Sequence, residues 1–183
     1  MDRSPIARRS PLPVLAALLL APAVLTPPVL ADPPPAASSG LISLSRTERH
    51  MDGTGDPVWE LALLIPGQPT RRFDALVGRA ARQAADRDKL GSQAPLPKGR
   101  YRISEVSAIE TGDNPELGRL HWIGLEPQFA TARRGLGIHH DPSAGLGRRS
   151  GTDGCIGLIQ GNDLVTLVDL VRRSGMRELE VRD

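Results

Sequence analysis

Apolar and polar positions begin to alternate at Leu41. Leu41-Ile42-Ser43-Leu44-Ser45 and the run from Val58 to Ile65 predict strands, and the Gly- and Asp-rich stretch from Met51 to Pro57 predicts the turn that joins them as a hairpin. Phe73, Leu76, Val77, Ala80, Ala81, Ala84 and Ala85 approach helical spacing, which predicts a strand to Gly78 followed by a helix to Leu90. Pro95 and Pro97 mark a loop, and Gly99 leads into a strand through Tyr101, Ile103 and Val106. Leu120 to Leu125 and Gly135 to His139 predict two further strands, the second ending at a pair of histidines. Leu164, Leu167, Val168 and Val171 fall at i, i+3, i+4, i+7. This predicts a helix capped by Asn162 or Asp163, with Arg172 and Arg173 in its last turn and Gly175 beyond its end. Leu179-Glu180-Val181 closes the chain as a short strand. The expected class is a β-rich α+β domain with one well-defined C-terminal helix followed by that strand.

Ahead of this pattern, Arg3, Arg8 and Arg9 precede the apolar run Val14 to Ala21, and Val29-Leu30-Ala31 stands before Asp32. The order is that of a secretory signal peptide over residues 1–31, cleaved after Ala31. Pro22 interrupts the apolar run short of the roughly 20 residues that a bilayer span needs, so no stable membrane span is expected. Residues 32–40, DPPPAASSG, predict a Pro/Ala/Ser-rich linker, leaving 41–183 as one domain. The expected location is the periplasm or cell envelope. The formal charge of +2 falls to zero once Arg3, Arg8, Arg9 and Asp2 are removed. A neutral domain with 3% aromatic residues has neither the cationic stripe nor the stacking platforms of a nucleic-acid binder.

From Ile138 to Leu158 the sequence IHHDPSAGLGRRSGTDGCIGL breaks every regular period. It contains Cys155, the single cysteine of the chain, which is an inert core thiol, an intermolecular partner or a reactive group. A thiol nucleophile needs a base, a lowered pKa and donors for an oxyanion. His139 at a strand end suits the base, and Gly154 would let a substrate carbonyl approach the Gly154 and Cys155 N–H groups.

Ile138-His139, then Thr152-Asp153-Gly154-Cys155-Ile156 with the cysteine sixteen positions after the histidine, resembles the L,D-transpeptidase catalytic domain, or YkuD-type domain. Pro97-Lys98-Gly99-Arg100-Tyr101 is similar to the Pro-x-Gly-x-aromatic segment with which a strand of that family starts. The resemblance implies an L,D-transpeptidase-like β-sandwich with Cys155 as the acylated nucleophile, His139 as its base, and Thr152 and Gly154 shaping the turn. Three residues depart from the family pattern: His140 replaces a glycine, Asp153 stands where many members have histidine, and Gly157 replaces Arg or Asn.

The implied reaction is acyl transfer on peptidoglycan stem peptides through a Cys155 thioester, with a stem amine, water or a D-amino acid as acceptor. Substrate contacts are expected at Thr152, Asp153, His140, Arg148 and Arg149. No metal and no organic cofactor is required, and the domain is expected as a monomer. Two alternatives stay open. His139, His140, Asp141 and Cys155 are competent zinc donors, as in a zinc-dependent wall hydrolase, although adjacent histidines on a strand diverge. A non-catalytic wall-binding module of the same fold is the other, kept open by Gly157. Papain-like and NlpC-type peptidases place the cysteine before the histidine, the reverse of the order here. Trp59 and Trp122, each within an apolar strand pattern, are expected in the core.

Overall fold

Among the described residues there are eight strands, seven where the alternation predicts them and one, Ile156–Leu158, inside the stretch that breaks every regular period. They are β1 (Leu41–His50), β2 (Pro57–Leu64), β3 (Arg71–Val77), β4 (Gly99–Ala108), β5 (His121–Pro127), β6 (Leu136–His140), β7 (Ile156–Leu158) and β8 (Glu178–Val181), with one α-helix, α1 (Gly161–Ser174), before the last. The computed structural model describes residues 40–110 and 114–182, all within one unit, Pro35–Asp183. The expected leader, and the expected linker up to Ser39, lie outside the described residues. Among the described residues no helix is long and apolar enough to cross a membrane.

The hairpin is present: β1 and β2 pair antiparallel from Leu41 opposite Leu64 to His50 opposite Pro57, with an irregularity between Arg46 and His50. The strand order β1-β2-β3-β7-β6-β5-β4-β8 closes on itself as a barrel, which corrects the expected sandwich. β8 makes the closure. Its Leu179 lies opposite Ile42 in a parallel pair with β1 and opposite Tyr101 in an antiparallel pair with β4, so both sheet edges are occupied by one short strand. Closing the ring leaves no row of unpaired backbone groups at an edge.

The segment after β3 also differs from expectation. Only Ala80–Arg82 is helical, as a single 3-10 turn, and no helix runs to Leu90. Ala80, Ala81 and Ala84 are exposed, so the alanine spacing has no apolar face to bury, and a helix of this length is marginal without one. Side chains hold the segment instead: Gln83 donates to the Val77 and Arg79 carbonyls, and Arg87 Nε to the Leu96 carbonyl at 2.6 Å.

The helix α1 buries Leu164, Leu167, Val168 and Val171 and packs against β5, β6 and β7. Its N-cap position is Gln160, with no side-chain cap. The expected capping residues Asn162 and Asp163 lie inside the first turn, where the Asp163 carboxylate meets the positive end of the helix dipole. Gly175 ends the helix in the left-handed region at φ 68°, its N–H bonded to the Val171 carbonyl. Gly175→Ala is therefore expected to lower stability by about 1 kcal/mol, seen as a lower urea midpoint at unchanged slope.

Candidate active site

β6 and β7 run parallel, with Ile138 opposite Ile156 and His139 opposite Gly157. Cys155 stands at the bend leading into β7, two positions before Gly157. Continued through the bend, the register brings it beside Gly137, two positions before His139 on β6, and the Gly137 N–H does bear on its sulfur. The fifteen residues between His139 and Cys155 fold back to make this pairing.

The turn that presents Cys155 is built around Thr152. Its buried hydroxyl donates to the Cys155 carbonyl at 2.6 Å and accepts from the Gly78 N–H at 3.0 Å and the Gly154 N–H at 3.2 Å. A hydroxyl has one donor and two acceptor positions, so all three are used. Thr152, expected among the substrate contacts, is thus closed to a substrate and shapes the turn. The same bond commits the Gly154 N–H, which was expected to face an oxyanion together with the Cys155 N–H. Gly154 has φ 117°, a conformation that suits glycine.

Cys155 is half-buried, and its Sγ donates to the Gly135 carbonyl at 3.5 Å. Burial pushes the thiol up to about 11. The Gly137 N–H and the Arg133 cation work against this by favouring the thiolate, and Asp153 and Glu116 add to the rise. The resting sulfur is therefore a thiol, in contrast to the lowered pKa that the sequence reading asked for.

His139 is buried at 2% exposure. Its Nδ1 lies 2.9 Å from the His140 carbonyl, which can only accept, so the proton sits on Nδ1 and Nε2 carries the free lone pair. The indole of Trp122 stacks on the ring at 6.2 Å between centroids. Trp122 is half-buried rather than a core residue like Trp59. It fits because a Cβ at Gly137 would fall 2.3 Å from its ring.

Burial lowers the His139 pKa below its ordinary value, against the His140 carbonyl and Asp141, which raise it. A depressed pKa in the fold gives stability that is present above about pH 6.5 and is lost as pH falls through the folded value. The wild-type melting temperature is expected to fall more between pH 7.5 and 5 than that of His139→Gln, whose amide still donates to the His140 carbonyl. Parallel thermal melts with equal losses would show that His139 is not held neutral by burial.

Asp153 is exposed and held by Arg79 Nη2 at 3.1 Å and Gln93 Nε2 at 2.8 Å. Arg79 also pairs with Glu116 and donates to the Arg149 and Gly151 carbonyls. Arg148 and Arg149 are exposed on a 3-10 turn, Gly147–Arg149. With Arg79 and Arg82 they line a cleft of about 720 Å³ that reaches Ser150 and Gln93. A second cleft, of about 770 Å³, is lined by Phe129, Thr131, Arg133, Arg134 and Gly135. His140 alternates away from His139. Its ring lies near Gly118 and Gly161, where Cβ atoms would come within 3.3 and 3.8 Å, and it is not brought to Cys155.

The glycine at 157 has a steric cause. A Cβ there would fall 2.6 Å from Thr152 Cγ2 and 2.8 Å from Asp141 Cβ. The buried Asp141 carboxylate accepts from the Ser143 N–H and hydroxyl and from the Gly151 N–H at 3.0 Å, which ties down both ends of the loop. Among the described residues no three His, Cys, Asp or Glu side chains converge to hold a metal ion.

The model of the L,D-transpeptidase catalytic domain, YkuD, matches residues 60–177, more than half of the chain and the whole of this site. The chain belongs to that family. No curated protein and no solved structure matches it. Within this L,D-transpeptidase domain the sequence reading missed Arg79, Gln93, Glu116, Trp122 and Arg133. All lie outside the His139–Cys155 segment, and nothing in their local sequence sets them apart from surface charges, turn residues or a core aromatic.

Proposed function

We propose that this L,D-transpeptidase-family domain is an exported cysteine-dependent acyltransferase acting on peptidoglycan stem peptides. The observation that carries the reading is the parallel β6–β7 register, in which His139, with its Nε2 turned away from the His140 carbonyl, lies opposite Gly157, two positions after Cys155. His139 Nε2 takes the thiol proton as Sγ attacks the carbonyl carbon between the L-centre of diaminopimelate and the terminal D-alanine. The C–N bond breaks, the imidazolium returns its proton to the leaving amine, and an acyl thioester remains on Cys155. A stem amine then resolves the thioester as a cross-link, water gives a tripeptide, and a free D-amino acid gives exchange.

Burial favours the neutral form of both the Cys155 thiol and the His139 imidazole, which suits transfer of the thiol proton to Nε2 as the sulfur attacks. The Cys155 N–H offers a donor to the developing oxyanion. The cleft with Arg79, Arg82, Arg148 and Arg149 would hold the carboxylates of the stem peptide.

A thiol bonded to the Gly135 carbonyl also suits a second reading, a wall-binding module that does not turn over. Incubation of the leaderless protein with disaccharide tetrapeptide, following products and intact protein mass, separates the two. D-Alanine release with a transient acyl adduct on the protein is the expected result. Unchanged tetrapeptide with no adduct, alongside retention on purified wall, would leave the binding module.

A further inference from the structure

Arg133 lies in the segment between β5 and β6 and is 4% exposed. Its guanidinium donates Nη1 to the Arg87 carbonyl at 3.2 Å, to Ser92 Oγ at 3.4 Å and to the Ala94 carbonyl at 3.4 Å, and Nη2 to the Asp153 carbonyl at 3.3 Å. All four acceptors are neutral. A buried guanidinium that, among the described residues, meets carbonyls and a hydroxyl but no carboxylate is costly unless an anion comes to join it.

The guanidinium also fills the place of a side chain at position 154. A Cβ built on Gly154 would fall 1.8 Å from Arg133 Nη2 and 2.9 Å from its Cζ. The Asp153 carbonyl that Arg133 holds belongs to the same peptide plane as the Gly154 N–H, which reaches Thr152 Oγ1 on the other side. One peptide is thereby clamped from both ends immediately before the nucleophile.

We propose that Arg133 is the positioning residue of the nucleophile turn. Its buried guanidinium fixes the Asp153–Gly154 peptide and supplies, beside Cys155, the positive charge that the thiolate and the acyl-transfer oxyanion meet. It does so from outside the motif, where the packing of Thr152 and Asp141 leaves no room for a side chain at 157. The inference rests on the reading of Cys155 as nucleophile. The other groups bearing on the sulfur are Asp153 in its own turn, Glu116 in the 3-10 turn Pro115–Leu117, and the Gly135 carbonyl and Gly137 N–H at the start of β6. Asp153 and Glu116 are already engaged by Arg79, and among the described residues no carboxylate pairs with Arg133, the cation acting on Cys155.

The test is the pH profile of Cys155 alkylation by iodoacetamide in the full chain, since the rate follows the thiolate fraction. Arg133→Met is expected to alkylate about tenfold more slowly than wild type at pH 8, with the profile displaced upward by about one unit. Arg133→Lys, which keeps the charge and loses the planar fan, should recover most of that loss. Should Arg133→Met fail to fold, Ser92→Asp keeps the arginine, gives it a counterion, and is expected to displace the profile in the same direction. Profiles that coincide with wild type, with only the melting temperature changed, would reduce Arg133 to a structural clasp and overturn the proposal. Alkylation needs no peptidoglycan, so an Arg133-dependent profile in a protein that releases no D-alanine would sink the transpeptidase reading and leave this one standing.

Discussion

Cys155→Ala is expected to cut D-alanine release from the stem tetrapeptide by on the order of 10⁴-fold or more, to the rate in buffer, because no other thiol exists in the chain to form the thioester. The fold should survive. Cys155 is half-buried, its sulfur makes one long hydrogen bond to the Gly135 carbonyl, and the turn is held by Thr152, Asp141 and Arg133, which the substitution leaves in place. The change in stability should stay within about 1–2 kcal/mol. Product analysis and a thermal melt on the same sample check both halves. Release by the alanine variant at the wild-type rate, with the melt unchanged, would remove the sulfur from the chemistry.

The second large effect is at Gly154. Its φ of 117° disfavours any L side chain, and a methyl group would overlap a buried guanidinium at 1.8 Å and the Ala94 carbonyl oxygen at 2.9 Å. Neither neighbour is the free end of an exposed side chain, so the turn itself must shift. Gly154→Ala is expected to cost about 3 kcal/mol or more and to abolish acyl transfer in whatever folded fraction remains. Gly67→Ala is the control. That residue also has a positive φ, 74°, but nothing lies within 4 Å of its added carbon, so about 1 kcal/mol and full activity are expected. Equal losses at the two positions would mean that the contact with Arg133 adds nothing to backbone strain at the nucleophile turn.

Seven of the eight strands and the final helix were legible in the sequence because each is specified locally, whereas β7, three residues of the glycine-rich stretch, is set by its pairing with β3 and β6. β1 alternates Ile42 and Leu44 inward, α1 repeats its apolar positions at the helical period, and Gly175 sits where a left-handed residue must. The helix expected after Gly78 failed for a related reason. Alanine spacing alone does not say whether an apolar surface waits to receive it, and none does at Ala80, Ala81 and Ala84. The closed barrel was not legible either, since it depends on β8 finding both β1 and β4, with Leu179 opposite Ile42 and Tyr101, which lie 137 and 78 positions before it.

The same division runs through the site. The sequence by itself determined the residue types and their order: His139 at a strand end, then a glycine-rich loop, then Thr152, Gly154 and Cys155. Tertiary structure alone decided what surrounds them. The parallel register sets His139 opposite Gly157, two positions after Cys155, the His140 carbonyl orients the imidazole, and the thiol rests on Gly135. Thr152 and Asp141 take the space at position 157, and Arg133 arrives from a segment with no motif of its own. Periodicity and turn chemistry act between residues a few positions apart. Charge, burial and exclusion of volume act through space, and at Cys155 the groups that act come from three separate stretches of the chain: Glu116, Arg133 to Gly137, and Asp153.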